Sequence, residues 1–127
     1  MNKIHDIPEL DNNQFWSLVL LAKQDFSTFK QKLEQMSQVE LISFVWKFQE
    51  TAGDLYDEKY LYNQYSEDYM ADLCDYVVGQ GREFYEYVRN NPDQMPQEMD
   101  YSEPSNYIKD EALEVYSKRF DEPMPPL

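Results

Sequence analysis

The sequence predicts an all-α fold, a single compact helical domain of about five to six helices spanning residues 1–127. Only 3 glycines occur among the 127 residues, and the Asn-Gly and Asp-Gly pairs that mark tight hairpins are missing. Apolar residues instead recur at spacings of three and four, which is the periodicity of a helix face. With 42 % hydrophobic residues, the chain is long enough to bury one core. We expect no strand.

Two helices are predicted after an N-terminal arm of residues 1–10. Asp11 or Asn12 is expected to cap the first helix, which runs to Lys23, because both side chains accept hydrogen bonds from a first helical turn. Its expected apolar face comprises Phe15, Leu18, Val19 and Ala22, widened by Trp16 and Leu20. A short second helix starts at Asp25. Its apolar stripe comprises Phe26, Phe29, Leu33 and Met36.

Ser37 and Glu40 mark the start of the third helix, because a serine three residues before a glutamate forms a capping box. Helical spacing then continues until Gly53 weakens it, through Leu41, Phe44, Val45, Phe48, Ala52 and Leu55. Residues 54–64 favour one or two further helical turns.

One long helix is predicted near residues 66–90, capped by Ser66 and about 36 Å long if it is straight. Its apolar face comprises Met70, Leu73, Cys74, Val77, Gly81, Phe84, Tyr85 and Val88. Because Gly81 lies on this face, we interpret it as a point of close helix approach, with a kink at Gly79 as the alternative. Pro92 ends the helix.

The last third of the chain predicts a loop, a helix and a tail. Residues 91–106 contain three prolines and many polar groups, which is typical of a long surface loop. A final helix over residues 105–120 aligns Ile108, Ala112, Val115 and Tyr116. The proline-rich tail of residues 121–127 cannot continue it.

Charge and composition exclude several classes of function. The formal net charge of -14 would repel a phosphate backbone, so we expect no direct binding of nucleic acid. No apolar run reaches the length of a membrane span or a signal peptide, so we expect a cytoplasmic protein without membrane contact. The single cysteine and the single histidine cannot form a disulfide or a Cys/His zinc site within the chain. No metal or cofactor is expected.

The segment of residues 50–76 carries the main functional signal. It contains eight carboxylates against one cation, Lys59, and six of the 11 tyrosines. Tyrosine presents a rigid amphipathic ring at a small cost in entropy, and a field of one sign steers basic partners. This composition indicates a surface for a basic protein.

The candidate binding residues are Tyr62, Tyr65, Glu67, Asp68, Tyr69, Asp72, Asp75, Gln80 and Arg82. Spacings of four and three place Asp68, Asp72 and Asp75 on one face of the predicted long helix. The structural alternative is a solvated acidic face, which amphipathic helices normally show. Arg82 either forms a structural ion pair or, together with Gln80, holds an anionic group in a cleft. We identify no catalytic residue.

Several segments resemble a bacterial family catalogued as domain of unknown function 4240. They are residues 66–70 (SEDYM), 76–85 (YVVGQGREFY) and 91–93 (NPD), with Phe15-Trp16, the helix of residues 37–48 and residues 114–116 in the same order. The family usually has Ser-Asp-Asp-Gly-Phe at residues 66–70 and a tryptophan in place of Tyr76. The resemblance implies a helical fold and no established activity.

Two functional hypotheses follow. The first is a non-catalytic acidic protein-binding module, comparable in charge and size to immunity proteins and inhibitors, that docks on a basic partner. The alternative is an enzyme or small-molecule binder that uses the carboxylates and Arg82 in a cleft. A homodimer formed through an exposed aromatic stripe is compatible with both.

Overall fold

The structure is a computed structural model that describes residues 7–57, 59–60 and 65–127. These residues form α-helices and two short 3₁₀ helices and contain no strand, which confirms the all-α prediction. The α-helices are α1 (Asn12–Gln24), α2 (Phe26–Gln35), α3 (Gln38–Gly53), α4 (Glu67–Gly79), α5 (Arg82–Asn90) and α6 (Ile108–Phe120). Two 3₁₀ helices, Pro92–Gln94 and Pro104–Tyr107, connect α5 to α6.

The predicted helix caps are confirmed. Asp11 Oδ1 accepts a hydrogen bond from the backbone N–H of Asn13 at 2.8 Å, at the start of α1. At the start of α3, Ser37 Oγ accepts from the N–H of Glu40 at 3.1 Å, and Glu40 Oε1 accepts from the N–H of Ser37 at 2.7 Å. This reciprocal pair is the predicted capping box. Local side-chain chemistry therefore determines where these helices begin.

Helix α3 lies at the centre of the fold and contacts α4 and α6, while α1 contacts α2 and α4. The ring of Phe44 on α3 lies 5.6 Å from that of Phe15 on α1 and 6.0 Å from that of Phe29 on α2. All three phenylalanines are fully buried. The expected contribution of Leu20 to this core is wrong, because Leu20 is 48 % exposed.

The prediction of one long helix over residues 66–90 is wrong. The chain forms α4 and α5, with Gln80 and Gly81 between them. Gly81 has φ 111° and ψ 171°, a backbone conformation that is essentially restricted to glycine. Because a Cβ added there would meet no atom within 4 Å, Gly81 is required for its conformation and not for close packing. It ends one helix and starts the next.

Gly79 has the role that the sequence suggested for Gly81. A Cβ built on Gly79 would lie only 2.5 Å from the backbone carbonyl oxygen of Ser105. Gly79 and Ser105 are both buried. The last turn of α4 therefore packs directly against the 3₁₀ helix that precedes α6, and the missing side chain permits this contact.

The connection between α5 and α6 is more structured than the predicted loop. Met95 and Ser105 are buried within it. The final helix begins at Ile108, three residues later than expected, because the segment before it adopts 3₁₀ geometry. The further helical turns predicted for residues 54–64 do not form in the described part, where residues 54–57 and 59–60 form non-helical turns with Leu55 and Tyr60 buried. The remainder lies outside the described residues.

Both described ends of the chain contact α3. The hydroxyl of Ser43 donates a hydrogen bond to the carbonyl of Pro8 at 2.8 Å. One turn further along the helix, the indole Nε1 of Trp46 donates to the carbonyl of Pro125 at 2.9 Å. Residues near both described ends are thus held against neighbouring turns of α3.

Candidate functional site

Helix α4 carries the acidic face that the sequence predicted. Ser66 caps it, with its Oγ accepting from the N–H of Tyr69 at 3.2 Å. Glu67 and Asp68 are exposed in the first turn, where the positive end of the helix dipole favours carboxylates. Asp72 follows one turn later and is also exposed. The first two acids thus have a structural role in the helix start.

Tyr65 and Tyr69 form an edge-to-face pair at the start of α4, with ring centroids 5.0 Å apart. The hydroxyl of Tyr69 donates to the carbonyl of Gln97 at 2.7 Å and so attaches the connection between α5 and α6 to α4. Desolvation raises the pKa of Tyr69, and nearby Tyr101, Tyr65 and Glu98 raise it further. Both rings are half-buried. Tyr62, also predicted, lies outside the described residues.

Asp75 differs from the other acids because its side chain is only 21 % exposed. Its Oδ2 lies 3.1 Å from Nζ of Lys109 on α6. Desolvation raises the pKa of Asp75; Lys109 lowers it, and the neighbouring carboxylates of Asp72 and Asp110 raise it. Burial therefore outweighs the ion pair, and the pKa of Asp75 is raised overall. Asp75 is therefore an interhelical contact between α4 and α6.

A cavity of about 220 Å³ opens beside this ion pair. We name it the tyrosine–aspartate cavity. Its lining residues are Asp72, Asp75, Met99, Tyr101, Asn106, Tyr107, Lys109 and Asp110. They come from α4, the connection before α6, and the first turn of α6. Two predicted residues, Asp72 and Asp75, are thus brought together with aromatic and acidic residues far away in the sequence.

Hydrogen bonds hold the rim of the cavity in place. The hydroxyl of Tyr107 donates to the carbonyl of Tyr101 at 2.8 Å. Asp100 Oδ1 accepts from the N–H of Ser102 at 3.0 Å, which closes a turn of the Asx type. Tyr101 and Tyr107 nevertheless remain 55 % and 44 % exposed. The rim therefore keeps two tyrosines at the protein surface although the backbone around them is fixed by hydrogen bonds.

Tyr101, Tyr107 and Asp110 were not among the predicted site residues. Tyr101 lies in the predicted loop of residues 91–106, where no helical periodicity indicates which way a side chain faces, and Tyr107 lies at the start of the predicted final helix, outside its apolar face. Asp110 lies within the last predicted helix, and the sequence indicates no functional role for it. The available signal was Tyr101 in a long surface segment, since such segments often carry function.

Gln80 and Arg82 contact other residues than the α4 carboxylates. Gln80 accepts from Nζ of Lys23 at Oε1, at 2.8 Å, and donates from Nε2 to Glu103 at 2.7 Å. Arg82 pairs with Glu86 on its own helix at 3.2 Å and lies 3.4 Å from Asn13 Oδ1. Neither residue lines the tyrosine–aspartate cavity. Their observed contacts are structural.

A larger cavity of about 450 Å³ lies between α1, α2 and the start of α3. It is mainly apolar, with Leu18, Leu21 and Met36 in its wall. Its one carboxylate, Glu40, already accepts the hydrogen bond of the capping box. None of the predicted site residues that the structure describes lines this larger cavity, whereas Asp72 and Asp75 line the smaller one, which is therefore the cavity that corresponds to the predicted acidic surface.

The described part of the chain offers little reactive chemistry. Cys74 is buried, and desolvation raises the pKa of its thiol to about 12, so it remains a protonated thiol at neutral pH. Across residues 7–57, 59–60 and 65–127, no group of three or more His, Cys, Asp or Glu side chains is arranged to hold a metal ion. Within the same ranges, no helix has both the length and the apolar character needed to cross a bilayer.

The fold and the cavity define a small all-helical protein with an acidic, tyrosine-rimmed surface. Over residues 10–121 the chain matches the model of a family described as protein of unknown function (DUF4240). The chain therefore belongs to this family, as the resemblance of its motifs indicated. No curated protein and no solved structure matches it.

The buried carboxyl of Asp75 predicts an unusual pH dependence of stability. Because burial raises its folded pKa above the ordinary value of 3.8, the folded state binds the proton more tightly than the unfolded state. This residue's contribution to stability is thus fully present at low pH and is lost as pH rises through the raised folded pKa. Removing the titratable group removes that contribution.

We therefore expect the free energy of unfolding of the wild type, minus that of Asp75→Asn, to increase as pH falls from about 7 to about 4. Urea denaturation at several pH values measures this difference. Asp93→Asn, at an exposed residue of the Pro92–Gln94 helix, is the control. A wild-type advantage that shrinks on acidification would contradict the burial of Asp75.

Proposed function

We propose that this protein is a non-catalytic binding module of the bacterial cytoplasm that docks on a basic protein, in the manner of an immunity protein or an inhibitor. The observation that carries the proposal is the convergence of α4 carboxylates and exposed tyrosines on one face, around the tyrosine–aspartate cavity. Exposed tyrosines provide contact area at low entropic cost, and carboxylates provide charge complementarity to a basic surface.

The whole chain reinforces the field of this face. Its formal net charge of -14 attracts a basic partner from a distance and accelerates encounter. The same field disfavours nucleic acid, which the proposal excludes as a direct ligand. The proposal includes neither a cofactor nor catalysis.

The alternative of a small-molecule site built from carboxylates and Arg82 gains no support. The guanidinium of Arg82 contacts Glu86 and Asn13, and Arg82 is not part of the cavity wall to which Asp72 and Asp75 contribute. The chain breaks at Gly81 between α4 and α5, so Arg82 belongs to a different helix from Asp72 and Asp75.

Affinity capture tests the proposal. Immobilised wild type is incubated with a nuclease-treated extract of cells that carry the protein, and retained proteins are identified. We expect a basic protein to be retained at about 50 mM salt and released at about 500 mM, since salt screens exposed charges. The double variant Asp68→Lys/Asp72→Lys should lose it, because these substitutions reverse the field of the acidic face.

The matched control is Glu34→Lys/Glu50→Lys, which changes the net charge equally at exposed residues of α2 and α3. This control should retain the basic protein. Retention by both double variants, or loss from both, would refute a role for the acidic face. Circular dichroism establishes that each variant keeps its helical content.

A further inference from the structure

The tail that follows α6 is held by side chains of α3 and α6. The hydroxyl of Tyr116 on α6 donates a hydrogen bond to Glu122 Oε2 at 2.7 Å and accepts one from Gln38 Nε2 on α3 at 3.0 Å. Further along α3, Nε1 of Trp46 donates to the carbonyl of Pro125 at 2.9 Å. The surface that holds the tail, which we name the tail-binding surface, comprises Gln38, Trp46 and Tyr116.

The tail sequence itself favours an extended backbone. Residues 122–127 read EPMPPL, with prolines at residues 123, 125 and 126. A proline fixes its own φ at about −65° and restricts the residue before it to extended conformations, so all of residues 122–126 are constrained. These are the dihedral angles of polyproline II. Such a segment loses little conformational entropy when it binds a surface.

The two attachment points suit a polyproline II segment. With about three residues per turn and a rise of about 3.1 Å per residue, this helix places residues 122 and 125 on the same side, about 9 Å apart. Gln38 and Trp46 lie about two turns apart on α3, which is about 12 Å along its axis. The side chain of Glu122 bridges the difference, because it extends from the backbone to reach Tyr116.

The contact between Trp46 and Pro125 is of a kind used in recognition between proteins. Polyproline II has no internal hydrogen bonds, so its carbonyl groups are available to donors. Proline-rich segments dock on surfaces lined by aromatic side chains, which exploit this preformed backbone. The tail-binding surface supplies an indole N–H and a tyrosine hydroxyl, and both donate to the tail.

Few contacts attach the tail. Within the part of the chain that the structure describes, residues 122–127 make only the two hydrogen bonds given above, and they form no salt bridge. Met124 and Pro125 are half-buried, and Met124 packs against the core. The other four residues of the tail are exposed. A competing segment therefore has to replace only two hydrogen bonds and a small apolar contact.

We infer that the tail-binding surface is a recognition site for an extended proline-rich segment of another protein, which displaces the protein's own tail. The incoming segment carries a carboxylate three residues before the carbonyl that Trp46 binds, as Glu122 precedes Pro125. In the free protein the tail is an intramolecular competitor, with an effective concentration on the order of millimolar.

This inference goes beyond the proposed function and does not depend on it. Tyr116 lies in the second half of α6, whereas the tyrosine–aspartate cavity involves the first turn of that helix. The two surfaces can therefore be tested separately.

Nuclear magnetic resonance of the full-length ¹⁵N-labelled protein tests the inference. The probe is the peptide N-acetyl-EPMPPL-amide, a copy of residues 122–127. Met124→Asp weakens the attachment of the protein's own tail, because it places a charge at a half-buried apolar residue and leaves the tail-binding surface unchanged. We expect the indole resonance of Trp46 to shift in this variant and to return toward its wild-type position as peptide is added. The indole resonance of Trp16, on α1, is the internal reference and should stay constant.

The peptide should bind Met124→Asp at least about tenfold more tightly than it binds the wild type, because the wild-type tail competes with it. Leu127→Asp is the matched control, since it adds the same charge to the tail at a residue that is 62 % exposed. Its affinity for the peptide should stay within about twofold of wild type. Circular dichroism establishes that both variants keep their helical content. If Met124→Asp does not, Glu122→Ala takes its place, because it removes the hydrogen bond to Tyr116 at an exposed residue.

Two further comparisons test the chemistry of the surface. The peptide N-acetyl-EAMAAL-amide keeps the carboxylate and lacks the prolines, and it should bind Met124→Asp at least about fivefold more weakly. Adding Tyr116→Phe to Met124→Asp should weaken binding of the proline-containing peptide at least about fivefold, because the hydroxyl that donates to the carboxylate is removed.

Three results overturn the inference. The first is a peptide that fails to restore the Trp46 resonance or that binds Met124→Asp and Leu127→Asp equally. The second is equal binding of the proline-free peptide. The third comes from size-exclusion chromatography with light scattering: a wild-type dimer that Met124→Asp abolishes would show that the tail of a second copy, and not a segment of another protein, occupies the surface.

Discussion

Gly79→Ala is expected to lower the free energy of unfolding by about 3 kcal/mol, a large fraction of the stability of a small domain. The added methyl group would meet the carbonyl oxygen of Ser105 at 2.5 Å, which is closer than van der Waals contact permits. That oxygen belongs to backbone and not to a flexible side chain. Relief therefore requires α4 to move away from the segment that precedes α6.

Urea denaturation measures the loss of unfolding free energy. If the slope of that free energy against urea concentration is the same as in the wild type, the substitution acts on the folded state. Gly53→Ala is the matched control, because Gly53 ends α3 and a Cβ there meets no atom within 4 Å. The control should gain about 0.5 kcal/mol, since alanine reduces the entropy of the unfolded chain. If Gly79→Ala is as stable as Gly53→Ala, the close contact with Ser105 does not exist in solution.

Gly81→Ala is expected to cost about 2 kcal/mol for a different reason. There is space for a methyl group, since no atom lies within 4 Å of a Cβ at this residue. The backbone has φ 111°, however, and an L-residue with a side chain is strained in that conformation. The penalty arises from the dihedral angles and not from packing.

Gly81→Asn tests whether the dihedral angles of Gly81 cause the penalty. Asparagine tolerates the left-handed helical region near φ 57° that most residues avoid, but φ 111° with ψ 171° lies outside that region. We therefore expect Gly81→Asn to be about as unstable as Gly81→Ala in thermal and urea unfolding. Wild-type stability in either variant would show that α4 and α5 join without the observed break.

The correctly predicted parts of the fold depend on local chemistry. Asp11, Ser37 and Ser66 were recognised as caps because a cap hydrogen bond spans only two or three residues. The apolar faces followed from spacing in the same way. The sequence assigned the close contact to Gly81 and the kink to Gly79, whereas the structure has the reverse. Spacing shows only which face a residue occupies. Tertiary packing decides which glycine breaks the helix and which one makes the close contact.

The site was predicted in part for the same reason. Asp72 and Asp75 share one helix, so their proximity could be predicted. The rest of the wall is contributed by a connection whose path depends on particular hydrogen bonds, such as Tyr69 to Gln97 and Tyr107 to Tyr101. No periodicity encodes such contacts. For Arg82 the sequence left two possibilities, a structural ion pair or an anion site shared with Gln80, and the observed pair with Glu86 on its own helix is the first of them.

The hydrogen bond from Tyr69 to the carbonyl of Gln97 also bears on how the protein moves. The connection it attaches supplies four of the eight residues of the cavity wall, Met99, Tyr101, Asn106 and Tyr107. Such segments open locally at a lower free energy than global unfolding, and amide hydrogen exchange detects the opening. Any partner that binds only the closed cavity must slow amide exchange in this segment. Its apparent affinity is reduced in proportion to the fraction of the free protein in which the cavity is closed. Occupation of the cavity and the local stability of this connection are therefore thermodynamically coupled.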